Sequence, residues 1–431
     1  MEGRGPAGDA APGRPVQGAR RPETQSRRRP AGKGLRVIRA AAALLSAAAA
    51  AAQPSARARE VHDRAFVFDA HVHVINRQFH DGTDIGKRLQ RGQVDLPRLR
   101  DGGVDAMFFS LYIPEEYYPH RFETKHALRL IDLARRQIEA NRGVIGLALN
   151  GADIDRLRKE GRVAAVLDLE GGFDLDGDLG VLRSLHALGL RSAQLPAHNW
   201  ANSFADSCCA RERKANGLSP HGREVVREMN RLGMVINISH AADSTIEQAL
   251  EVSRHPLVAT HHGMRALNDI QRNMPDGLMK KVAAKGGLIG FHIGNEFHNR
   301  KMFDWRTANA GKPFWDTSGV RKEAAATIFD VDRLVAPSFP MEGTKAPDEV
   351  LMTPEEWIAV IERAISVVGE DHVILGSDWD GGPTPPKGMK DVADLPRLTE
   401  AMLRRGWSET RIRKFLGENL LRVFRAVTGA P

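Results

Sequence analysis

From about residue 62 to residue 428, short apolar runs alternate with amphipathic stretches, and this alternation constrains the fold more than any other feature of the chain. Eight runs read as strands: Phe66–Asp69, Asp105–Ser110, Ala164–Leu169, Ser192–Pro196, Val235–Ser239, Leu257–Thr260, Leu288–Phe291 and Val373–Ser377. Helical patterns lie between them, among them His126–Ala140, Arg223–Leu232, Ser244–Ser253 and Pro354–Val368. The last opens on Thr353-Pro354-Glu355-Glu356, a capping residue followed by proline and acids in the first turn. Strands alternating with helices predict parallel strands joined by crossover helices. Eight such units predict an α/β fold, a (β/α)8 TIM barrel. Residues 295–351 show no strong periodicity and read as a long insertion between strands seven and eight, placed to overhang the mouth of the barrel.

The polar residues sit at one end of these runs. Strand one leads into Asp69-Ala70-His71-Val72-His73, strand three into Asp168-Leu169-Glu170, and strand four into His198-Asn199. Strand five ends in Ser239-His240, strand six in His261-His262, and strand eight in Asp378-Trp379-Asp380. In a closed parallel barrel the C-terminal strand ends converge on one mouth. Imidazoles and carboxylates gathered there form a nitrogen and oxygen site suited to zinc or a similar divalent ion. His71 and His73 are two apart and face the same way on a strand, so they can grip a single ion. Either His261 or His262 can be the residue that turns inward. Asp380 reads as a turn residue, and His292 at the end of strand seven reads first as a buried structural histidine.

Charge and cysteine content narrow the function. The formal net charge is +8, but residues 1–60 hold 12 Lys and Arg against 4 Asp and Glu. The remainder is balanced, with 62 − 12 = 50 basic and 54 − 4 = 50 acidic residues. The body therefore carries no basic stripe of the kind nucleic acid requires. Residues 1–60 divide from the barrel domain of 61–431 as a leader: a basic, Pro- and Gly-rich stretch, an apolar run ending in Ala52, and small residues before Gln53-Pro54. That pattern matches an export signal, so the expected location is periplasmic or extracellular. Ser26-Arg27-Arg28-Arg29 weakly resembles a twin-arginine signal. The apolar run is too short for a comfortable membrane span, so no stable membrane anchor is expected. The only two cysteines, Cys208 and Cys209, are adjacent, which excludes a disulfide scaffold and makes an ordinary loop-closing bridge unexpected. Neither a dinucleotide fingerprint nor a phosphate loop is present.

The motifs together resemble the membrane (renal) dipeptidase family of zinc peptidases, within the metal-dependent amidohydrolase superfamily. The resemblance rests on Glu170-Gly171-Gly172, Pro196-Ala197-His198-Asn199, Ile238-Ser239-His240, Thr260-His261-His262 and Gln271-Arg272-Asn273-Met274-Pro275-Asp276. It continues through Gly376-Ser377-Asp378-Trp379-Asp380-Gly381 and the C-terminal stretch from Leu416 to Phe424. It implies a zinc-dependent dipeptidase that cuts the amide bond of small dipeptides bearing a free C-terminal carboxylate, using a metal-bridging hydroxide. By matching motif, Glu170 bridges two zinc ions, with His71 and His73 on one and His240 and His261 on the other. His198 contacts the substrate carbonyl, Arg272 holds the terminal carboxylate, and Asp378 is the acid/base. The resemblance also implies a possible homodimer. The family usually has His-x-Asp after strand one, whereas this chain has His71-x-His73, and His262 stands where the family tends to have serine. Two alternatives remain: another metal-dependent hydrolysis, of N-acyl amino acids, lactones or phosphotriesters, and a non-catalytic exported barrel protein.

Overall fold

The computed structural model describes residues 53–171, 178–317 and 325–429. Residues 1–52 of the expected leader, Gly172, and residues 318–324 of the insertion lie outside the described residues. Nine parallel strands form one sheet among the described residues: β1 Phe68–Val72, β2 Ala106–Tyr112, β3 Ile145–Leu147, β4 Val163–Glu170, β5 Leu190–Gln194, β6 Val235–Asn237, β7 Leu257–His262, β8 Leu288–Phe291 and β9 Val373–Leu375. Eight of them run in the order β1-β2-β4-β5-β6-β7-β8-β9. The ring closes where Val72 bridges Trp379; His73 N–H donates to the Trp379 carbonyl and Asp378 N–H to the His71 carbonyl, each at 2.9 Å. These are the eight strands expected from the sequence, arranged as the expected TIM barrel. The additional β3 pairs with the first residues of β4. Three residues with glycine at the centre are too few to show alternation.

Side-chain alternation fixes what the barrel interior contains. On β2, Ala106 and Phe108 point into an apolar plug; on β4, Ala164 and Val166 do the same. Phe424, from the C-terminal helix Asn419–Thr428, meets Phe68 and Phe108 edge-on at 6.1 Å each and seals that end. Burying such a ring contributes roughly 2–3 kcal/mol. Two and four residues further along the same strand faces come Ser110 and Tyr112 on β2, and Asp168 and Glu170 on β4. The interior thus changes from apolar to polar along the barrel axis. The other strand face, with Met107, Phe109, Leu111, Leu167 and Leu169, joins the larger core beneath the helices.

Two outer elements bear on the site. Helix Pro354–Val368 carries the expected cap: Glu356 N–H donates to the Thr353 hydroxyl at 3.2 Å, and Thr353 N–H to the Glu356 carboxylate at 2.7 Å. It buries Trp357, whose indole N–H donates to the His292 carbonyl at 3.1 Å. The insertion, read as aperiodic, instead contains helices Asn295–His298, Arg300–Ala310 and Ile328–Val335. Helix Arg300–Ala310 buries only Met302 and Phe303, so it leaves no apolar stripe in the sequence. Cys208 and Cys209 form a disulfide between adjacent residues, which closes no loop of chain. No described helix is long and apolar enough to cross a membrane.

Candidate metal centre

Glu170, the last residue of β4, is the hub of the mouth. Its Oε2 lies 3.2 Å from His71 Nε2 and 3.0 Å from His73 Nε2. Its Oε1 lies 3.2 Å from His240 Nε2 and 3.3 Å from His261 Nε2. Within each histidine pair the Nε2 atoms are 3.0 and 3.1 Å apart, respectively. Asp378 adds Oδ1 at 2.9 Å from His73 Nε2. All six side chains are buried. His71, Glu170 and His261 form one group whose ligand atoms lie within 4.8 Å of one another, and His71, His73 and Asp378 form a second.

The neighbours of these rings settle which nitrogen faces the hub. Ser110 donates its hydroxyl to Asp168 at 3.1 Å and so accepts from His71 Nδ1–H at 2.9 Å. The Asn199 amide oxygen accepts from His240 Nδ1–H at 3.0 Å. Thr260 Oγ1 lies 3.0 Å from His261 Nδ1 and donates onward to the Asn237 amide oxygen at 3.2 Å. In three of the four histidines the proton therefore sits on Nδ1, and the Nε2 lone pair points at Glu170. Outer partners of this kind orient metal-binding imidazoles.

Electrostatics agree. Burial pushes His240 and His261 well below the usual histidine range, so both are neutral. Burial alone would raise Glu170, but the four histidines around it, His71 and His73 foremost, hold it well below its usual range. Asp378 is likewise held low, against its burial, by His292 and His73. His73 is the exception: Glu170 and Asp378 outweigh its burial and lift it to about 10. Its Nδ1 is buried without a partner, so nothing on that side fixes its proton. Ionised carboxylates and imidazoles converging in a buried pocket are a donor set that fits divalent cations, and a cation there would take the place of the proton on His73.

Around the hub lie the residues that would meet a ligand. His198 places Nε2 at 3.9 Å from Glu170 Oε1. Its Nδ1–H donates to Glu115 Oε1 at 2.5 Å. Burial alone would lower His198 and raise Glu115, but their mutual attraction reverses both shifts. His292 accepts from Gly294 N–H through Nδ1 at 2.7 Å, so its proton is on Nε2 and donates to Asp378 Oδ2 at 2.7 Å. His292, read from sequence as structural, thus orients the carboxylate of Asp378. His198, His240 and Asp378 have φ values of 55°, 61° and 66°, in the left-handed region rarely used by such residues. Strained backbone of this sort costs about 1–3 kcal/mol per residue and gathers at functional sites.

The cavity above the hub has a volume of about 570 Å³ and is lined by His73, Tyr112, His198 and Asp378 from the barrel, and by Glu296, Phe297, Arg306 and Phe314 from the insertion. The insertion therefore overhangs the mouth, as expected. Arg272 is fully buried and is not among the lining residues. Its Nη2 donates to the His261 carbonyl at 2.9 Å, its Nε has no partner, and the lining ring of Phe297 stands 5.5 Å away. Burial lowers it to about 10. His261, not His262, turns inward; His262 Nδ1 lies 3.4 Å from Arg272 Nη1. Asp380 is buried and pairs with Arg77 at 2.9 Å, as a structural residue should. Sequence reasoning missed Glu115 and Asn199. Strand β2 extends to Tyr112, two residues beyond the expected end, and an acid three residues past a strand end was the available signal.

The family model described as membrane dipeptidase (peptidase family M19) matches residues 55–430. Dipeptidase tcpJ of Claviceps purpurea (strain 20.1) is 30% identical over 343 residues, covering 78% of this chain and 69% of that protein. Mouse Dipeptidase 3 is 32% identical over 344 residues, covering 79% of this chain and 59% of its own length. The chain thus spans less than two thirds of the mouse relative. Among solved structures, the probable dipeptidase PvdM from Pseudomonas aeruginosa superposes with a TM-score of 0.70 at 25% identity, covering 86% of this chain and 98% of that one.

Proposed function

The chain belongs to the membrane dipeptidase family, peptidase family M19, and on that premise we propose that it is an exported, metal-dependent dipeptidase. The observation that carries the reading is the single buried carboxylate, Glu170, with each oxygen facing its own pair of imidazole nitrogens. That symmetry suits two cations, and nitrogen-rich sites of this kind favour zinc. His71 and His73 would hold one ion, His240 and His261 the other, with Glu170 shared. Paired divalent ions supply Lewis acidity and bring the acidity of water close to neutral pH.

The chain's own residues do the rest. Asp378, ionised and fixed by His292, accepts a proton at Oδ1 from the water that adds to the carbonyl carbon and passes it to the amide nitrogen as the C–N bond breaks. His198, whose protonated form Glu115 favours, presents Nε2–H to the carbonyl oxygen as charge develops there; a preorganised donor is worth roughly 3 kcal/mol. Arg272 pairs with the substrate carboxylate, and its unpartnered Nε supports that role. A second guanidinium, Arg306, lines the cavity itself and is the competing anchor. Arg272→Ala and Arg306→Ala separate the two: the anchor's loss raises KM for dipeptides and leaves KM for amidated dipeptides unchanged.

The reading is tested by elemental analysis of the purified protein together with a hydrolysis panel, run with and without chelator. Two equivalents of zinc and chelator-sensitive dipeptide cleavage are expected. Preference for N-acyl amino acids, lactones or phosphotriesters would move the substrate class, and an inert, metal-free protein would end the reading. Asp378→Asn should retain both metals and lose kcat by about 10²-fold or more. Near-normal turnover would remove Asp378 from proton transfer.

A further inference from the structure

Glu115 lies just beyond β2, at the start of the 3-10 turn Glu115–His120, and is 6% exposed. Three donors converge on its carboxylate. Oε1 accepts from His198 Nδ1–H at 2.5 Å and from Asn199 N–H at 3.3 Å. Oε2 accepts from the Tyr112 hydroxyl at 2.7 Å. Among the described residues its only ion-pair partner is His198, and no lysine or arginine neutralises it. A buried carboxylate is expensive to maintain unless its hydrogen bonds are satisfied, and an apolar residue would fill the same space at less cost. The charge therefore needs an explanation beyond packing.

The ring it touches is constrained on every side. His198 sits on left-handed backbone, with Gly171 packed against it so closely that an added Cβ there would lie 3.3 Å from His198 Cβ. Its imidazole lies between Tyr112, at 4.8 Å between ring centroids, and His240, at 3.9 Å. With Nδ1 committed to Glu115, Nε2 is the nitrogen left to face the cavity and Glu170. Tyr112 lines the cavity too, so one side chain both packs on the ring and tethers the carboxylate that aims it.

We infer that Glu115 is a positioning residue for hydrolysis: it fixes the orientation of His198 so that Nε2 meets the substrate carbonyl. This rests on the reading above that His198 makes that contact. Glu115 touches neither the metal ligands nor the cavity, so it acts through the residues it holds, and His198 is the one of them that meets its charge. Asn199 links the same unit to the metal centre, since it lends its N–H to Glu115 and its side-chain oxygen to His240.

A double-mutant cycle on the full-length, metal-loaded protein tests this, with L-Ala-L-Ala as substrate. Glu115→Gln keeps the shape and removes the charge. It should lower kcat about 10- to 100-fold while KM stays within about threefold, the scale of a hydrogen bond to a charged group. In a His198→Ala background the same change should cost less than about twofold, because residues acting through one another are not additive. Glu115→Asp, which keeps the carboxylate but withdraws it by one methylene, should fall between wild type and Glu115→Gln. Bound metal and the thermal midpoint should stay at wild-type values. A wild-type kcat in Glu115→Gln overturns the inference. So does an undiminished cost in the His198→Ala background, or loss of metal, since either would place the effect elsewhere. If His198→Ala alone leaves kcat/KM intact, the carbonyl-contact reading fails and the inference with it. A wild-type protein inert to every dipeptide sinks the dipeptidase reading itself.

Discussion

His73 is the residue at which this chain departs from the His-x-Asp pattern, and its geometry shows what the exchange accomplishes. Its Nε2 reaches 3.0 Å from Glu170 and 2.9 Å from Asp378, so an imidazole stands at the hub where that pattern has a carboxylate. Imidazole suits zinc and copper, whereas carboxylate suits harder ions such as manganese and magnesium. His73→Asp should therefore shift metal preference toward manganese. Competitive reconstitution followed by elemental analysis reads the ratio, and an unchanged zinc-to-manganese ratio would contradict the argument. The five ligand candidates were legible because each is a polar residue where an apolar run stops. The choice between His261 and His262 was not, because a register shift between Ala259 and His262 breaks the two-residue period of β7. A similar shift between Asp69 and Val72 lies beside His71 in β1. Glu115 was hidden for another reason: its partner His198 is 83 positions away, and no local pattern records such a pair.

Among the elements, helix Pro354–Val368 was legible to the residue because its cap is written in side chains: Thr353, then proline, then Glu356. The same cap makes a stability prediction. Thr353→Ala removes the hydroxyl that accepts Glu356 N–H and should cost about 1 kcal/mol. Denaturant titration gives the change directly. The helix reaches the site through Trp357 and the His292 carbonyl, four residues into the helix from the cap, so kcat should change less than twofold. A large loss of kcat without loss of stability would show that the helix end couples to Asp378 through His292. The elements that escaped the sequence share a cause. β3 is three residues long, and helix Arg300–Ala310 buries two side chains, so neither displays the periodicity from which elements are inferred.

For the molecule as a whole, buried histidines outside the hub contribute to the response to acid. Burial lowers His80 to about 4 and His298 to about 3, and it lowers His62 and His126 as well. Each is neutral in the fold, yet once unfolded it binds a proton near its ordinary value of about 6.5. Between pH 6.5 and about 4 the unfolded chain therefore binds more protons, and stability falls as pH drops. Aspartates act in the opposite sense: burial raises Asp105, Asp168 and Asp391, and more strongly Asp69 and Asp380. The last two rise to about 6, so the fold binds their protons first and gains stability as pH falls toward 4. The buried histidines and the buried aspartates therefore oppose one another toward acid. Protonation of the hub histidines would add the loss of any bound metal, so wild-type data alone do not isolate the share of one histidine. His126→Phe does. His126 stacks on Tyr117 at 4.0 Å and meets Phe79 edge-on at 4.8 Å, and both of its ring nitrogens are buried without partners. A phenyl ring preserves these contacts and cannot take up a proton. Urea unfolding at pH 7 and pH 5 should show a smaller drop in stability for His126→Phe than for wild type, with metal content matched. Equal drops in the two proteins would mean that His126 is not among the groups that carry the acid response.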